Sequence, residues 1–173
     1  SDFDKLYLSI MDEELKRVER TLSHIKTSGY FDYMKKEVKK LGFCHHDYAN
    51  HNVLLLENNE INIIDFDYCI LDSHLHDLSS LCIRTMKEGS WDLNLFKYII
   101  ESYSKNKEVR NEEFPIMASF IEFPQAYWQL GLQYYWDELP WEEEHFLKNL
   151  GKYEKDREFR QNFVDELSNF TLR

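Results

Sequence analysis

Two short segments with the composition of β-strands interrupt a sequence that otherwise has the apolar spacing of helices. The segments are residues 52–57, NVLLLE, and residues 61–65, INIID, and three polar residues separate them. Such a spacing predicts an antiparallel hairpin with a tight turn. Because the outer ends of two paired strands lie side by side, Asn52 and Asp65 are expected to be neighbours. These segments limit the chain to a helical domain that carries one small sheet.

The remainder of the chain has the periodic apolar spacing of amphipathic helices. A first helix is predicted from an apolar stripe that leaves Glu14 among the outward-facing residues. The stripe consists of Met11, Leu15, Val18, Leu22 and Ile25. Later helices are expected over residues 30–41, 77–87, 93–104, 112–123, 125–135 and 142–169. Gly42 is expected to cap the second helix and Gly151 to break the last, so the predicted fold class is mainly α with a small β-hairpin (α+β).

Composition and charge narrow the classes of partner. Hydrophobic residues make up 43% of the 173 residues and charged residues 31%, which indicates a folded domain. The net charge of −11 argues against nucleic acid and anionic lipid as main partners, since both require a basic surface. No apolar run approaches the roughly 20 residues of a membrane span, and no signal peptide is visible, so secretion is not expected.

Two further expectations concern the cysteines and the aromatic residues. The three cysteines lack a CxxC spacing, and they are expected to be reduced and buried. The aromatic residues between Phe114 and Trp141 are expected to pack in a helical core rather than to form a binding wall.

A polar loop precedes the hairpin, and a second polar segment ends it. The loop reads HHDYANHN over residues 45–52, and the second strand ends in IIDFD over residues 63–67. Phosphoryl transfer from ATP needs a carboxylate that orients the attacking hydroxyl and oxygen ligands that hold Mg²⁺ on the phosphates. The spacing predicts Asp47 as the catalytic base, with Asn52 and Asp65 as the metal ligands.

The loop resembles the His-Gly-Asp-x-x-x-x-Asn catalytic loop of aminoglycoside phosphotransferases and choline kinases, and more distantly that of protein kinases. The IDFD segment at residues 64–67 is similar to their metal-binding segment. His76-Asp77-Leu78 resembles their downstream element, whose carboxylate braces the catalytic loop. Within that superfamily several segments are most similar to the CotS-like bacterial spore coat proteins. These segments are CHHDYA at 44–49, IDFDYC at 64–69, FP at 123–124 and YYW at 134–136.

The resemblance implies the helical C-terminal lobe of a kinase-like fold over residues 1–173, with the nucleotide-gripping N-terminal lobe absent. Leading helices would occupy residues 1–41. The catalytic loop, hairpin and metal segment would occupy residues 42–77, and a helical subdomain residues 78–173. ATP and Mg²⁺ are the implied cofactors, and His45 and Asp77 the implied structural supports of the site.

The nucleotide-binding elements of such enzymes are not visible in this sequence. None of the five glycines forms a phosphate-covering loop, and no strand offers the expected lysine. The chain alone is therefore expected to bind ATP weakly or not at all and to be inactive. The sequence also departs from the family at His46, which stands where these enzymes usually have glycine.

Three functions remain open from the sequence. The first is a phosphotransferase that moves the γ-phosphate of ATP to a hydroxyl of a small molecule. The second is a non-catalytic structural spore coat protein that binds other coat proteins through the kinase-like fold. The third is a metal-dependent phosphohydrolase with His24, His46 and Asp47 as ligands. The expected location is the cytoplasm or the spore coat.

Overall fold

Helices make up most of this computed structural model, which describes residues 1–137 and 139–172. In chain order the elements are α1 (Asp2–Thr27), α2 (Tyr30–Glu37), β1 (Val53–Leu55), β2 (Ile61–Ile63), α3 (His74–Met86), α4 (Leu93–Ser104), α5 (Phe114–Glu122), α6 (Gln125–Tyr135) and α7 (Glu143–Leu167). Short 3₁₀ turns lie at Val38–Lys40, Asn50–Asn52 and Asn111–Glu113. The predicted fold class, mainly α with one small β-hairpin, is confirmed.

The hairpin pairs β1 with β2 in antiparallel register, with Leu54 opposite Asn62 at its centre. Each strand is shorter than the sequence predicted, because Asn52 belongs to a 3₁₀ turn and the chain bends away after Ile63. The pairing nevertheless continues past the strand end, since the Ile64 amide donates to the Asn52 carbonyl oxygen at 3.0 Å. The start of β1 is thereby held beside the residues that follow β2.

Two apolar clusters hold the helices together. The main core lies between α3, α4, α5 and the end of α7, and the second core lies between α1, α6 and the start of α7. The long helices α1 and α7 are the first and last helices of the chain, and both pack against α5. Among the described helices, none combines the length and the apolar composition that crossing a bilayer requires.

The predicted buried face of α1 is wrong. Glu14, expected on the outside, is only 1% exposed, whereas Leu15 and Leu22 are more than half exposed. The Glu14 carboxylate accepts a hydrogen bond from the Tyr153 hydroxyl and is paired with Arg17. A charge with partners on α7 can be buried, and that pairing rotates the helix away from its most apolar stripe.

Two predicted helix ends are also corrected. Leu41, not Gly42, adopts the left-handed backbone conformation after the second helical segment, with a φ of 51°. Gly151 does not break the last helix, because α7 runs continuously from Glu143 to Leu167. Gly151 is tolerated because the helix around it is held by packing of its neighbours, including the buried Leu150.

The aromatic residues between Phe114 and Trp141 do not share one environment. Phe114 and Tyr127 are buried, as expected. Trp128 and Trp136 are exposed, and the expectation of a common core is wrong for them. For Trp128 the difference follows from helix geometry, because the neighbouring positions Tyr127 and Trp128 of α6 point to different sides. Trp136 lies just after the end of α6.

Two glycines of the helices should respond oppositely to alanine. At Gly131 a Cβ would lie 2.7 Å from Tyr7 Cζ, and the Tyr7 ring is held by stacking on Tyr127 at 4.1 Å. Gly131→Ala is expected to lower the free energy of unfolding by about 1–3 kcal/mol. Gly151→Ala meets nothing within 4 Å and should raise it by about 0.5–1 kcal/mol. Urea unfolding measures both, and a loss of stability in Gly151→Ala would contradict a continuous α7.

His74 should make the fold sensitive to mild acid. Burial, with a contribution from Lys107, lowers the pKa of His74 from 6.5 to about 4. The unfolded chain therefore binds the proton first, so stability is full above pH 6.5 and falls as the pH decreases towards 4. The loss is expected to be about 1 kcal/mol, since partial exposure screens the charge. Urea unfolding at pH 7 and pH 5 should show a smaller pH dependence in His74→Gln than in the unmodified chain. The exposed His51 gives the matched control His51→Gln, which should retain the original slope.

Candidate functional site

The polar loop before the hairpin is anchored at its first residue. Cys44 forms an isolated antiparallel bridge with Ile70, in which each backbone amide donates to the other's carbonyl oxygen at 3.0 and 3.2 Å. The bridge ties the start of the loop to the segment that follows β2. The loop is therefore fixed at both ends, by this bridge and by the pairing at Asn52.

Asp77 holds the start of the loop from the first turn of α3. Its two carboxylate oxygens accept hydrogen bonds from the backbone amides of His45, at 2.6 Å, and His46, at 2.9 Å. The Ser73 side chain caps α3 by accepting from the Leu75 amide, which sets the direction of this turn. Charged acceptors on backbone amides are among the stronger hydrogen bonds in proteins, so the loop's conformation depends on this carboxylate.

His45 connects the loop to the end of β2. The side chain is 4% exposed, its Nε2 lies 2.8 Å from the Ile64 carbonyl oxygen, and its ring packs against Phe66. Because a carbonyl oxygen can only accept, Nε2 carries the proton in this contact. The imidazole therefore links the loop to the residue immediately before Asp65.

Asp47 and Asn52 are in direct contact. The Asn52 side-chain amide donates to the Asp47 backbone carbonyl at 3.0 Å and to Asp47 Oδ2 at 3.3 Å. Asn52 is buried, whereas the Asp47 carboxylate is partly open to solvent. Since the amide nitrogen is used by Asp47, the oxygen Oδ1 of Asn52 is the atom left for a cation.

Asp65 lies beside Asn52 through the backbone rather than through its side chain. The preceding residue, Ile64, is the one whose amide pairs with Asn52. Asp65 itself is exposed and has a left-handed φ of 66°. In the described part of the chain the Asp65 carboxylate forms no salt bridge. Among the described residues, no hydrogen bond joins it to Asp47. The structure thus brings two of the three predicted residues into contact and places the third at the neighbouring strand end.

Arg84 was missed by the sequence reasoning. Its guanidinium donates to Asp47 Oδ1 at 2.7 Å, whereas Asn52 contacts Oδ2. A sequence signal was present, because Arg84 lies seven residues after Asp77 on α3. That separation is two helical turns, so both side chains project towards the same face.

A cleft opens in front of Asp47. Its volume is about 710 Å³, and it is bounded by α1, α3 and α5 together with the loop and the segment after β2. Asp47 and Arg84 line it, as do the rings of Tyr68, Phe120 and Phe123. The Asp47 carboxylate can therefore be reached by a small molecule that enters the cleft.

Comparison with known proteins agrees with this geometry. Residues 6–109 match the family described as "Phosphotransferase enzyme family", and they make up more than half of the chain. The chain belongs to the phosphotransferase enzyme family. Such a family implies, in general terms, the use of ATP and a divalent metal.

The fold is shared with an aminoglycoside phosphotransferase of known structure. The crystal structure of aminoglycoside phosphotransferase from Alicyclobacillus acidocaldarius subsp. acidocaldarius DSM 446 superposes with a TM-score of 0.80 at 22% sequence identity. The match covers 98% of this chain and 50% of the other, so this chain spans half the length of that relative. At this identity the likeness establishes the kinase-like fold.

The resemblance predicts a glycine where this chain has His46, and the backbone geometry at this position favours glycine. The φ of His46 is 67°, in the left-handed region that side chains with a Cβ adopt at a cost of about 1–2 kcal/mol. The two amide bonds to Asp77 hold the loop in this conformation. The substitution therefore stores strain next to Asp47 and places an imidazole at the cleft.

Two expectations about histidine and cysteine are wrong. The phosphohydrolase hypothesis needed His24 with His46 and Asp47, but His24 Nδ1 lies 2.6 Å from the buried Glu122 carboxylate. His46 and Asp47 lie in a loop rather than on the helix that such a site requires. Cys69 is exposed rather than buried, because it follows a tight turn at the surface that Phe66 begins.

Replacing the carboxylate of Asp77 should loosen the loop. Asp77→Asn removes the charge and turns one of two acceptors into a donor that faces a backbone amide. We expect a loss of about 1–3 kcal/mol in the free energy of unfolding. Amide hydrogen exchange at His45 and His46 should become faster.

Urea unfolding and exchange measured by NMR test this role of Asp77. The matched control is Asp67→Asn, an exposed carboxylate in the segment after β2, which should change stability by less than about 0.5 kcal/mol. Unchanged exchange at both amides in Asp77→Asn would contradict the bracing role.

Proposed function

We propose that this chain is the C-terminal, catalytic-loop lobe of a small-molecule phosphotransferase that moves the γ-phosphate of ATP to a substrate hydroxyl. The single observation that carries the proposal is the direct contact of Asp47 and Asn52 at one end of the hairpin, beside Asp65. Residues 42–77 would carry the catalytic loop, the hairpin and the metal segment. The family assignment supports the reaction class.

Asp47 is the proposed catalytic base. It faces the cleft, so a substrate hydroxyl can approach its carboxylate, hydrogen-bond to it and be oriented for attack. The carboxylate accepts the hydroxyl proton as the bond to phosphorus forms. Asn52 and Arg84 contact different oxygens of Asp47, and together they limit the rotation of its carboxylate.

Asn52 and Asp65 are the proposed ligands of the divalent metal. The donor chemistry fits Mg²⁺, which prefers carboxylate and carbonyl oxygens: Asn52 offers Oδ1, and Asp65 offers an exposed carboxylate. When bound, the metal would neutralise charge on the phosphates of ATP. His45 and Asp77 are proposed to support this arrangement, since they fix the loop to β2 and to α3 respectively.

The hairpin presents an apolar surface that fits a second lobe. Leu41, Phe43, Leu55 and Ile61 are each more than 60% exposed, and they lie on the segments around the hairpin. Large apolar side chains exposed on neighbouring segments are a feature of interfaces. The relative of the same fold is twice as long as the matched region. The proposed occupant is a nucleotide-binding N-terminal lobe, which would complete the ATP site above Asp65.

The substrate would enter the cleft between α1, α3 and α5. Aromatic rings there can pack against the apolar faces of a small molecule, and polar groups can fix its orientation. The side chains of Arg84, Gln125 and Gln129 line the cleft and supply such groups. A hydroxyl-bearing small molecule is therefore the proposed substrate.

The second candidate is a non-catalytic spore coat protein that uses the kinase-like fold to bind other coat proteins. The motifs shared with CotS-like proteins support this branch, and so does the Asp47–Arg84 ion pair. The Arg84 guanidinium occupies Oδ1 of Asp47, so that oxygen can accept a hydrogen bond from a substrate hydroxyl only after the ion pair opens.

Turnover of Mg²⁺-ATP by the full-length protein separates the two candidates. Asp47→Asn should lower the rate about 10²–10⁴-fold, since it removes general-base catalysis and leaves the fold intact. The exposed Asp12 gives the control Asp12→Asn, which should keep the original rate. The 173-residue chain alone should show no turnover.

Calorimetry with Mg²⁺-ATP completes the test. Binding by the full-length protein, retained in Asp47→Asn and weakened in Asp65→Asn, is expected for the phosphotransferase. Equal turnover in Asp47→Asn and the unmodified protein would remove Asp47 from the mechanism. No binding heat at all would favour the coat protein.

A further inference from the structure

We propose that Cys44, Asp72 and His76, with His46 as a fourth ligand, form a zinc-type metal site beneath the catalytic loop. One potential ligand atom from each of the first three residues lies within 4.8 Å of the other two. In the described part of the chain this is the single group of three or more His, Cys, Asp and Glu side chains so arranged. The site is independent of the proposed phosphoryl transfer.

Each of the three ligands is held by a different structural feature. Cys44 is fixed by its bridge to Ile70 and is 2% exposed. Asp72 follows that bridge by two residues and precedes the cap of α3. His76 lies in the first turn of α3, where its ring stacks on Phe120 at 5.0 Å. The donors therefore converge on one point from a rigid frame rather than from a mobile surface.

His46 supplies the fourth donor. The centroids of the His46 and His76 rings are 4.8 Å apart and the rings meet at 70°, so both imidazoles border the same space. His46 and His76 also line the same cleft. The side chain at position 46 thus adds an imidazole to the cluster.

The spacing allows tetrahedral coordination after small side-chain movements. Ligand atoms around zinc are about 3.5 Å apart, given bond lengths of about 2.0–2.3 Å. Asp72 Oδ2 and His76 Nδ1 are 2.9 Å apart in a hydrogen bond, and the ion would replace the proton they share. The Cys44 thiol would release its proton to solvent as the metal–sulfur bond forms.

The donor set selects against Mg²⁺. Thiolate and imidazole donors suit zinc and its neighbours in the first transition series, whereas Mg²⁺ requires oxygen ligands. The cluster is therefore chemically distinct from Asn52 and Asp65. An ion here would join the Cys44 bridge, the start of α3 and His46, which are the segments that frame Asp47. The role of the ion is structural, because it holds these segments together under the loop.

Zinc binding by the 173-residue chain tests the site directly. After dialysis against buffered zinc, elemental analysis should find one zinc per chain, and the melting temperature should rise. Cys44→Ser should weaken binding more than about 100-fold, since it removes a direct ligand. Co²⁺ should give a thiolate charge-transfer band that Cys44→Ser abolishes and His76→Gln alters.

Matched controls separate the cluster from adventitious binding. Cys69→Ser removes an exposed cysteine and His51→Gln an exposed histidine, and both should bind zinc as tightly as the unmodified chain. Far-UV circular dichroism checks that every variant is folded. The proposal is overturned by less than stoichiometric zinc in the folded chain. It is equally overturned if folded Cys44→Ser and His76→Gln keep the original affinity.

Discussion

The antiparallel pairing that begins at Cys44 and ends at Ile70 is the constraint on which the site depends. Within it, the amide of Ile64 bonds to Asn52, and the Cys44 bridge closes the outer end. Asp47 and Asp65 lie between these contacts, because the chain leaves and re-enters the same ribbon. Loss of this pairing would separate Asp47 from the strand end that carries Asp65.

Side-chain contacts then hold the parts of the polar loop that the strand pairing does not fix. The Asp77 carboxylate accepts hydrogen bonds from two loop amides, and His45 donates to the carbonyl oxygen of Ile64. These contacts are made by α3 and by the loop itself, so the packing of α3 in the main core is transmitted to Asp47. The strained backbone at His46 persists because it is overdetermined by these bonds.

Local patterns predicted those parts of the molecule that depend on neighbours in sequence. The hairpin, the number of long helices after it and the position of Asn52 beside the strand end that precedes Asp65 follow from strand pairing and helical period. Local patterns gave wrong predictions where contacts with residues distant in sequence determine the structure. Glu14 is buried because Tyr153, on the last helix, donates to it, and no local signal in α1 announces that contact. Gly151 remains helical for a similar reason.

The sequence by itself determined the fold class and the order of the polar loop, the hairpin and the acidic segment after it, since spacing along a ribbon translates directly into proximity. Only the tertiary structure decided which groups surround them. Arg84 reaches Asp47, and Asp72 and His76 meet Cys44, because α3 packs beneath the loop. Such contacts depend on how helices are oriented against a shared core. That orientation is a property of the whole chain, and no short segment encodes it.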